Sequence, residues 1–348
     1  MNPRQPAYIS VRLGRPTMTR STRVLSGLAL ALVATLAISA STGVLGISPW
    51  AALSGTADPL SLQVWWQLRL PRLLLGMAVG AMLAGSGAAM QGLFRNPLAD
   101  PTLLGLASGA GLFVALWIVL VQGSAASSLY GQFVAGFLGA LCVCLLIFGI
   151  ANRQGGGSAA VMSLLLAGLA INTLAGAGGG VLAFLASDEQ LRQLSLWGMG
   201  TLTNALWRTT AVALGVVAFA LWLLLRSATQ LDLLQLGEAT AHAAGLEIAH
   251  LKRRVVIATS IGVGLCVALT GVIGFLGLLV PHCLRLWLGP GHRLLLPASM
   301  LGGAILLVAA DALARTLGAP AEMPVGLLTS LLGGPYFLYL LMRRNRPC

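Results

Sequence analysis

Apolar residues run in blocks of membrane-crossing length, at roughly residues 24–46, 70–93, 102–121, 130–151, 159–186, 204–226, 294–314 and 325–342, with polar turns between them. The pattern predicts an all-α integral membrane protein. A further block, Arg254 to Gly289, is about 35 residues long, too long for one helix across a hydrocarbon core about 30 Å thick. It holds Gly271, Gly274 and Gly277 near its middle, and a break there makes two short spans of it. Charge favours the break, because Lys and Arg gather in cytoplasmic loops. With ten spans and both termini cytoplasmic, all of the 21 basic residues except Arg69, Arg72, Arg192, Arg208 and Arg315 fall inside. Without the break, Arg285, Arg293 and the C-terminal arginines move outside and the bias largely collapses. Ten spans is therefore the predicted count. It leaves one long cytoplasmic loop, 226–254, and no separate soluble domain, so residues 1–348 are predicted to form a single transmembrane domain.

Composition removes other classes. Hydrophobic residues make up 57% of the 348 and charged residues 9%, with mean hydropathy +0.89, against about 25% charged in soluble domains. A net charge of +12 would suggest nucleic acid in a soluble protein. Arginines dispersed beside apolar spans are instead a topology signal, and no nucleic-acid partner is expected. Arg4, Arg12, Arg15, Arg20 and Arg23 form a basic tail, 1–23, ahead of the apolar run from Val24 to Gly46. That run exceeds the roughly 7 to 15 residues of a signal-peptide core and reads as an uncut first span. Cys142, Cys144, Cys266, Cys283 and Cys348 show neither CxxC spacing nor zinc-like histidines, so no metal site or disulfide is predicted.

Uphill transport needs an energy source, and an ATP-binding P-loop needs GxxxxGK[ST]. Lys252 is the only lysine and has no such pattern around it, so the chain is not expected to be an ATPase itself. Ion coupling shows as carboxylates or histidines within spans. Only Asp311 sits well inside a block, near its outer end, and Arg315 four residues on offers it a partner on the same helix face. An ion-coupled secondary transporter stands as the alternative class, although no internal repeat of the kind common there is visible.

Four stretches carry candidate chemistry. Gly76, Gly80, Ala84, Ala88 and Gly92 recur every four residues, a face on which another backbone can approach closely in lipid. That helix should stop at Arg95-Asn96-Pro97, and Asp100-Pro101 reads as N-cap and first-turn proline of the next. The loop, LDLLQLGEATAHAAGLEIAHLKRR, looks like two short helices hinged at Gly245. Its Leu231, Leu233, Leu234, Leu236, Leu246 and Ile248 are too apolar for a free loop, and a cytoplasmic partner protein would cover them. At the outer face, Arg69 and Arg72 sit three residues apart, with Arg315 at the outer end of the ninth span. They either snorkel to headgroups or hold an anionic partner; their retention against the orientation bias favours the partner. Asn172 lies mid-span on a stripe with Gly168, Gly176 and Gly180. An interhelical hydrogen bond and a place on a translocation pathway or subunit interface fit it equally.

The stretch RLPRLLLGMAVGAMLAGSGAAMQGLFRNPLADPTLLGLASG, Arg69 to Gly109, resembles the permease family of ABC importers for iron-siderophores, haem and cobalamin. That family's pattern opens on LPR and runs through a small-residue helix to QGLFRNPLADP-x-LLG. Similar matches cover GE-x-x-A-x-x-x-G from Gly237 to Gly245, GF-x-GL-x-x-PH-x-x-R from Gly274, and E-x-PVG-x-x-T from Glu322. This chain departs at Ala244, where Leu is usual, at Gly291, where an Asp often precedes His-Arg, and at Met323, where Leu is commoner. The resemblance implies ten spans and a homodimer around a central pathway in a bacterial inner membrane. It implies a cytoplasmic ATPase dimer, which holds ATP and Mg, and a periplasmic substrate-binding protein. This chain would bind no cofactor, haem or an iron chelate being the cargo. Gly237, Glu238, Ala241, His242, Gly245 and Leu246 then belong to coupling helices that dock on the ATPase, with Arg95, Asn96, Pro97 and Asp100 a candidate second contact. Arg69, Arg72 and Arg315 match the family's docking arginines for the binding protein. His282 and Arg285 read as packing and anchoring groups. The segments LLAGLAINTLAGAGGG and LRQLSLWGMGTL look more like the haem branch than the cobalamin branch, so haem is expected first, then ferric siderophore, then cobalamin.

Overall fold

The computed structural model describes residues 18–42, 48–101, 105–121, 129–153, 158–318 and 321–344. Most of the predicted basic tail, up to residue 17, lies outside them, as do residues 102–104 of the motif after Pro101. Regular structure among the described residues is helical throughout. After α1 (Met18–Ser41) come the short α2 (Pro49–Ser54) and α3 (Pro59–Val64), each opened by a capping side chain, Ser48 or Asp58, with proline next. A π turn over Trp65–Arg69 joins α3 to α4 (Leu70–Leu93). Pro71 lacks the amide that an ordinary turn needs there, which favours the wider turn. Then follow α5 (Leu106–Leu116), α6 (Leu129–Arg153), α7 (Ser158–Leu185), the short α8 (Asp188–Gly198) and α9 (Trp207–Arg226). The long loop holds α10 (Ala228–Gln235) and α11 (Glu238–Ala243). Last come α12 (Ile248–Thr270), α13 (Leu276–Leu288), α14 (His292–Leu317) and α15 (Val325–Arg344). Among the described residues, seven helices are long and apolar enough to cross a membrane. Three shorter apolar ones accompany them, Leu106–Leu120, Leu276–Leu288 and Val325–Tyr339.

The break in the long apolar block is present. Helix α12 ends at Thr270, Gly271 takes φ +73°, and residues 271–275 run without helix to α13. A side chain on Gly271 would strike the carbonyl of Trp197, so the chain turns where only glycine fits. The turn after α4 differs from the sequence reading. Helix α5 opens at Leu106 behind Gly105 (φ +79°), not at Asp100-Pro101. The buried ring of Pro101 lies against Gly277 of α13 in a 3-10 turn, and residues 102–104 that follow it lie outside the described residues.

Helix α4 is the centre of the bundle, buried along most of its length and packed against α14, α9, α13 and α12. Helix α14 runs antiparallel to it, since Arg72 meets Asp311 at one end and Gly92 meets His292 at the other. Between these ends the backbones nearly touch. A Cβ on Gly80 would strike the Gly303 carbonyl, and one on Gly303 would strike Gly80. The small-residue face read from the sequence is therefore the seat of α14. Helices α5 and α6 pack together beside this pair, α12 contacts both α6 and α9, and α7 leans on α5 with most of its surface uncovered.

Candidate functional site

At one end of the α4/α14 pair the three predicted arginines converge. The π turn brings Arg69 to the end of α1, where its Nη1 donates to the Ala40 carbonyl at 2.8 Å. Arg72 donates from Nε and Nη2 to Asp311 Oδ1 at 3.1 and 2.9 Å, and from Nη1 to Glu322 Oε2 at 3.2 Å. Arg315 donates from Nε to Asp311 Oδ2 at 3.1 Å and from its terminal nitrogens to the Ser39 and Thr42 carbonyls at 3.0 and 3.2 Å. The expected Asp311 and Arg315 pair is thus present, and Arg72, 239 residues away in sequence, completes it. Asp311 is only 2% exposed and serves both guanidiniums, so it braces this end rather than standing free as an ion relay. Three guanidiniums against two carboxylates leave the cluster positive. Glu322, whose side chain is 55% exposed, is the solvent-facing member of the cluster, and solvent makes its pair with Arg72 weaker than the buried pair with Asp311.

At the other end lie the turn and the loop. Arg95 takes φ +50°, and Asn96 Oδ1 accepts from the Leu98 amide at 3.0 Å, leaving Arg95, Asn96 and Pro97 exposed and Asp100 half-buried. The hinge between the loop's two helices is Gly237 (φ +106°), whereas Gly245 (φ +83°) separates the second from α12. This corrects the predicted hinge: both positions need glycine, and a sequence with two glycines does not say which one divides the helices. The partner argument also changes. Leu231, Leu234 and Leu246 are buried by the chain itself, Leu233 and Ile248 are partly covered, and only Leu236 stays 67% exposed. What remains to offer a partner is Leu236 and the open side of α11, with His242 and Gly245, while Ala241 faces inward. Lys252 donates to Glu238 at 3.0 Å, tying α11 to α12, and Glu247 pairs with His250.

A polar joint that sequence reasoning did not single out anchors α10. Asp232 Oδ1 accepts from the His292 backbone amide at 2.6 Å and lies 3.0 Å from its Nδ1. Gln235 donates to the Pro290 carbonyl at 3.1 Å, and Arg293 donates to Thr229 Oγ1 at 3.1 Å. Burial works to raise the Asp232 carboxyl, but hydrogen bonds from the His292 ring and backbone outweigh it and hold its pKa below the ordinary 3.8. A lowered carboxyl stabilises the fold above its unfolded pKa and stops doing so as pH falls through the folded value. The loop should therefore stay docked between about pH 5 and 8 and loosen only in stronger acid. Limited proteolysis of 226–254 across pH checks this; cleavage rising already near pH 6 would contradict it.

Midway along α7, Asn172 Oδ1 accepts from Ser108 Oγ of α5 at 2.7 Å, so the interhelical hydrogen bond exists. Gly168 is buried, and Gly176 is open to an uncovered face that also shows Leu169, Leu174, Val181 and Phe184. Near the loop end, Arg285 Nη2 donates to Gln91 Oε1 at 3.4 Å, and Cys283 Sγ donates to Tyr336 Oη at 3.2 Å. Among the described residues no three of His, Cys, Asp and Glu come together to hold a metal.

Comparison with known proteins gives a consistent set. The sequence model of a family described as the FecCD transport family matches residues 28–343. A hemin transport system permease from Yersinia pestis is 49% identical over 325 residues, which cover 93% of this chain and 96% of that protein. A cobalamin import permease from Halobacterium salinarum is 41% identical, covering 85% and 80%, and a vitamin B12 import permease from Vibrio cholerae is 40% identical, covering 94% and 96%. A solved transporter of metal-chelate ABC type in an inward-facing conformation superposes with TM-score 0.82 at 33% identity, covering 92% of this chain and 99% of its own.

Proposed function

The chain belongs to the FecCD transport family, the membrane permeases of ABC importers, and from that premise we propose that it carries haem across a bacterial inner membrane. The observation that supports haem is the identity of 49% to a hemin permease against 41% and 40% to cobalamin permeases. Counting the three shorter apolar helices as spans gives ten, with the arginine end periplasmic and the loop end cytoplasmic. Two copies would meet through the uncovered faces of α7 and of α15, where Leu331, Leu338 and Tyr339 are exposed, and enclose the pathway, with Asn172, Gly168 and Gly176 near it. Leu236 and α11, with the Arg95 to Asp100 turn, would receive a cytoplasmic ATPase dimer that holds ATP and Mg. Nothing covalent happens to the cargo; alternating access does the work.

Reconstitution tests this directly. Proteoliposomes holding the chain with its ATPase subunit and binding protein should take up haem only when ATP is supplied. Uptake by this chain alone under an ion gradient would instead establish the ion-coupled class. Uptake of cobalamin or a ferric siderophore, but not haem, would keep the family and replace the cargo.

Docking at the arginine end makes a separate expectation. Glu322→Gln frees Arg72 Nη1 for a carboxylate of the binding protein and should tighten docking several-fold at low salt, because rim charges act mainly on association. Arg69→Gln should weaken it. Titration of labelled binding protein onto the permease in nanodiscs measures both, and weaker docking by Glu322→Gln would remove Glu322 as a competitor.

A further inference from the structure

We propose that His292 is a positioning residue that joins the coupling loop and the turn after α4 to α14, so that both motor-facing segments move with α14 as one body. This rests on the reading of those segments as the ATPase contact.

Helix α14 opens at His292, and the preceding Gly291 has no side chain to satisfy the free amides of the first turn. A carboxylate from another element supplies the cap. Asp232 of α10 takes the His292 amide and faces its Nδ1, and a negative group at a helix start is favoured. Gln235 lies 2.7 Å from the same Nδ1. Thr229, Asp232 and Gln235, three residues apart along one face of α10, all grip residues 290–293. The imidazole itself is fully buried and its Nε2 edge occupies the space where a side chain on Gly92 would stand. Gly92 ends the small-residue face of α4, three residues before Arg95 and the exposed turn. One ring thus fills the junction of three elements: α10, which leads into α11; α4, which leads into the turn; and α14.

Burial of Leu231 and Leu234 also holds α10 down, but apolar contact carries little direction. The hydrogen bonds fix where along α14 the loop sits, and an altered register costs them. Helix α11 is the opposite case. It lies between Gly237 and Gly245, both at positive φ, and buries only Ala241. Movement imposed on α11 reaches α14 through α10 and its joint with His292, while Lys252 and Glu238 pass it separately into α12.

The test uses the full complex of the chain, its ATPase subunit and its binding protein in proteoliposomes. Three quantities are read: ATPase subunit retained on purification, ATP hydrolysed, and cargo moved per ATP. His292→Ala should retain the ATPase and its hydrolysis while cargo per ATP falls about tenfold, the size of an ordinary coupling free energy. His292→Asn, whose amide can still donate to Asp232, should restore much of it. Asp232→Asn, on a half-exposed residue that threatens folding less, should lower the ratio in the same direction. Unchanged cargo per ATP in Asp232→Asn and His292→Ala complexes overturns the proposal. So does a loss that only tracks loss of the ATPase subunit, because His292 would then merely build the docking surface. If the unaltered chain retains no ATPase subunit at all, the proposed function fails first, and the two failures are told apart by that control.

Discussion

Asp311→Ala should destabilise the protein by about 3 to 5 kcal/mol, the range seen when one member of a buried ion pair is removed and its partner is left without compensation. Two partners are left here. Arg72 loses the three contacts that its Nε and Nη2 make to Asp311 and keeps only the exposed Glu322, and Arg315 loses the anchor that aims its other nitrogens at Ser39 and Thr42. Uncompensated guanidiniums at the edge of an apolar bundle are costly, and the cost is greater where lipid replaces water. Because α1 meets α14 beside the Arg315 contacts, α1 should loosen first. Thermal unfolding of the purified variant in nanodiscs measures the loss. The double variant Asp311→Ala with Arg315→Ala should cost less than the sum of the two single changes, as coupled neighbours do. A loss under about 1 kcal/mol for the single change would mean that water reaches the cluster and the pairs are of the weak exposed kind.

That cluster shows where a sequence is readable and where it is not. The pairing of Asp311 with Arg315 was legible because both lie on one helix, four residues apart, and helical spacing is a local property. Arg72 stands out in the sequence only as an arginine against the expected charge bias, and its bond to Asp311 depends on α4 and α14 lying antiparallel, which nothing local encodes. The same division holds for the small-residue face. Its period was visible, and with it the expectation of close backbone approach. Its partner, Gly303, lies more than two hundred residues on, and the seating of the His292 ring at its last position required the whole fold.

Glycine marks where the chain can break, but packing decides what each break separates. Gly271 ended α12 as expected, since an overlong apolar run must break and glycine is where it breaks. In the loop, by contrast, Gly237 and Gly245 both take positive φ, and the division of the helices followed from the burial of Leu231 and Leu234 against the bundle, a tertiary effect. The start of α5 is a second such boundary. Asp100-Pro101 has the local chemistry of a helix opening and Pro101 does enter a 3-10 turn, but the long helix α5 starts only at Leu106, behind Gly105 at positive φ.

Gly80→Ala should lower stability by about 1 to 3 kcal/mol or more, the cost of overpacking, even though alanine is the better helix former by about 0.8 to 1 kcal/mol. The obstacle is the backbone carbonyl of Gly303, which cannot rotate aside as a side chain would, so the two helices must separate along their length. Separation reaches both ends of the pair. It lengthens the bonds of Arg72 to Asp311 at one end and opens the seat of His292 at the other, so docking of the binding protein and cargo moved per ATP should fall together. Gly176→Ala is the matched control, another helical glycine of the same stripe type, with nothing within 4 Å of its Cβ. Within a single chain it should be neutral or slightly stabilising, by up to about 1 kcal/mol. If Gly176→Ala leaves unfolding unchanged yet weakens dimer formation, α7 is the surface between the two copies. Equal melting temperatures for Gly80→Ala and Gly176→Ala would show instead that α4 and α14 tolerate a gap, and the two ends would then have to communicate by some route other than this rigid pair.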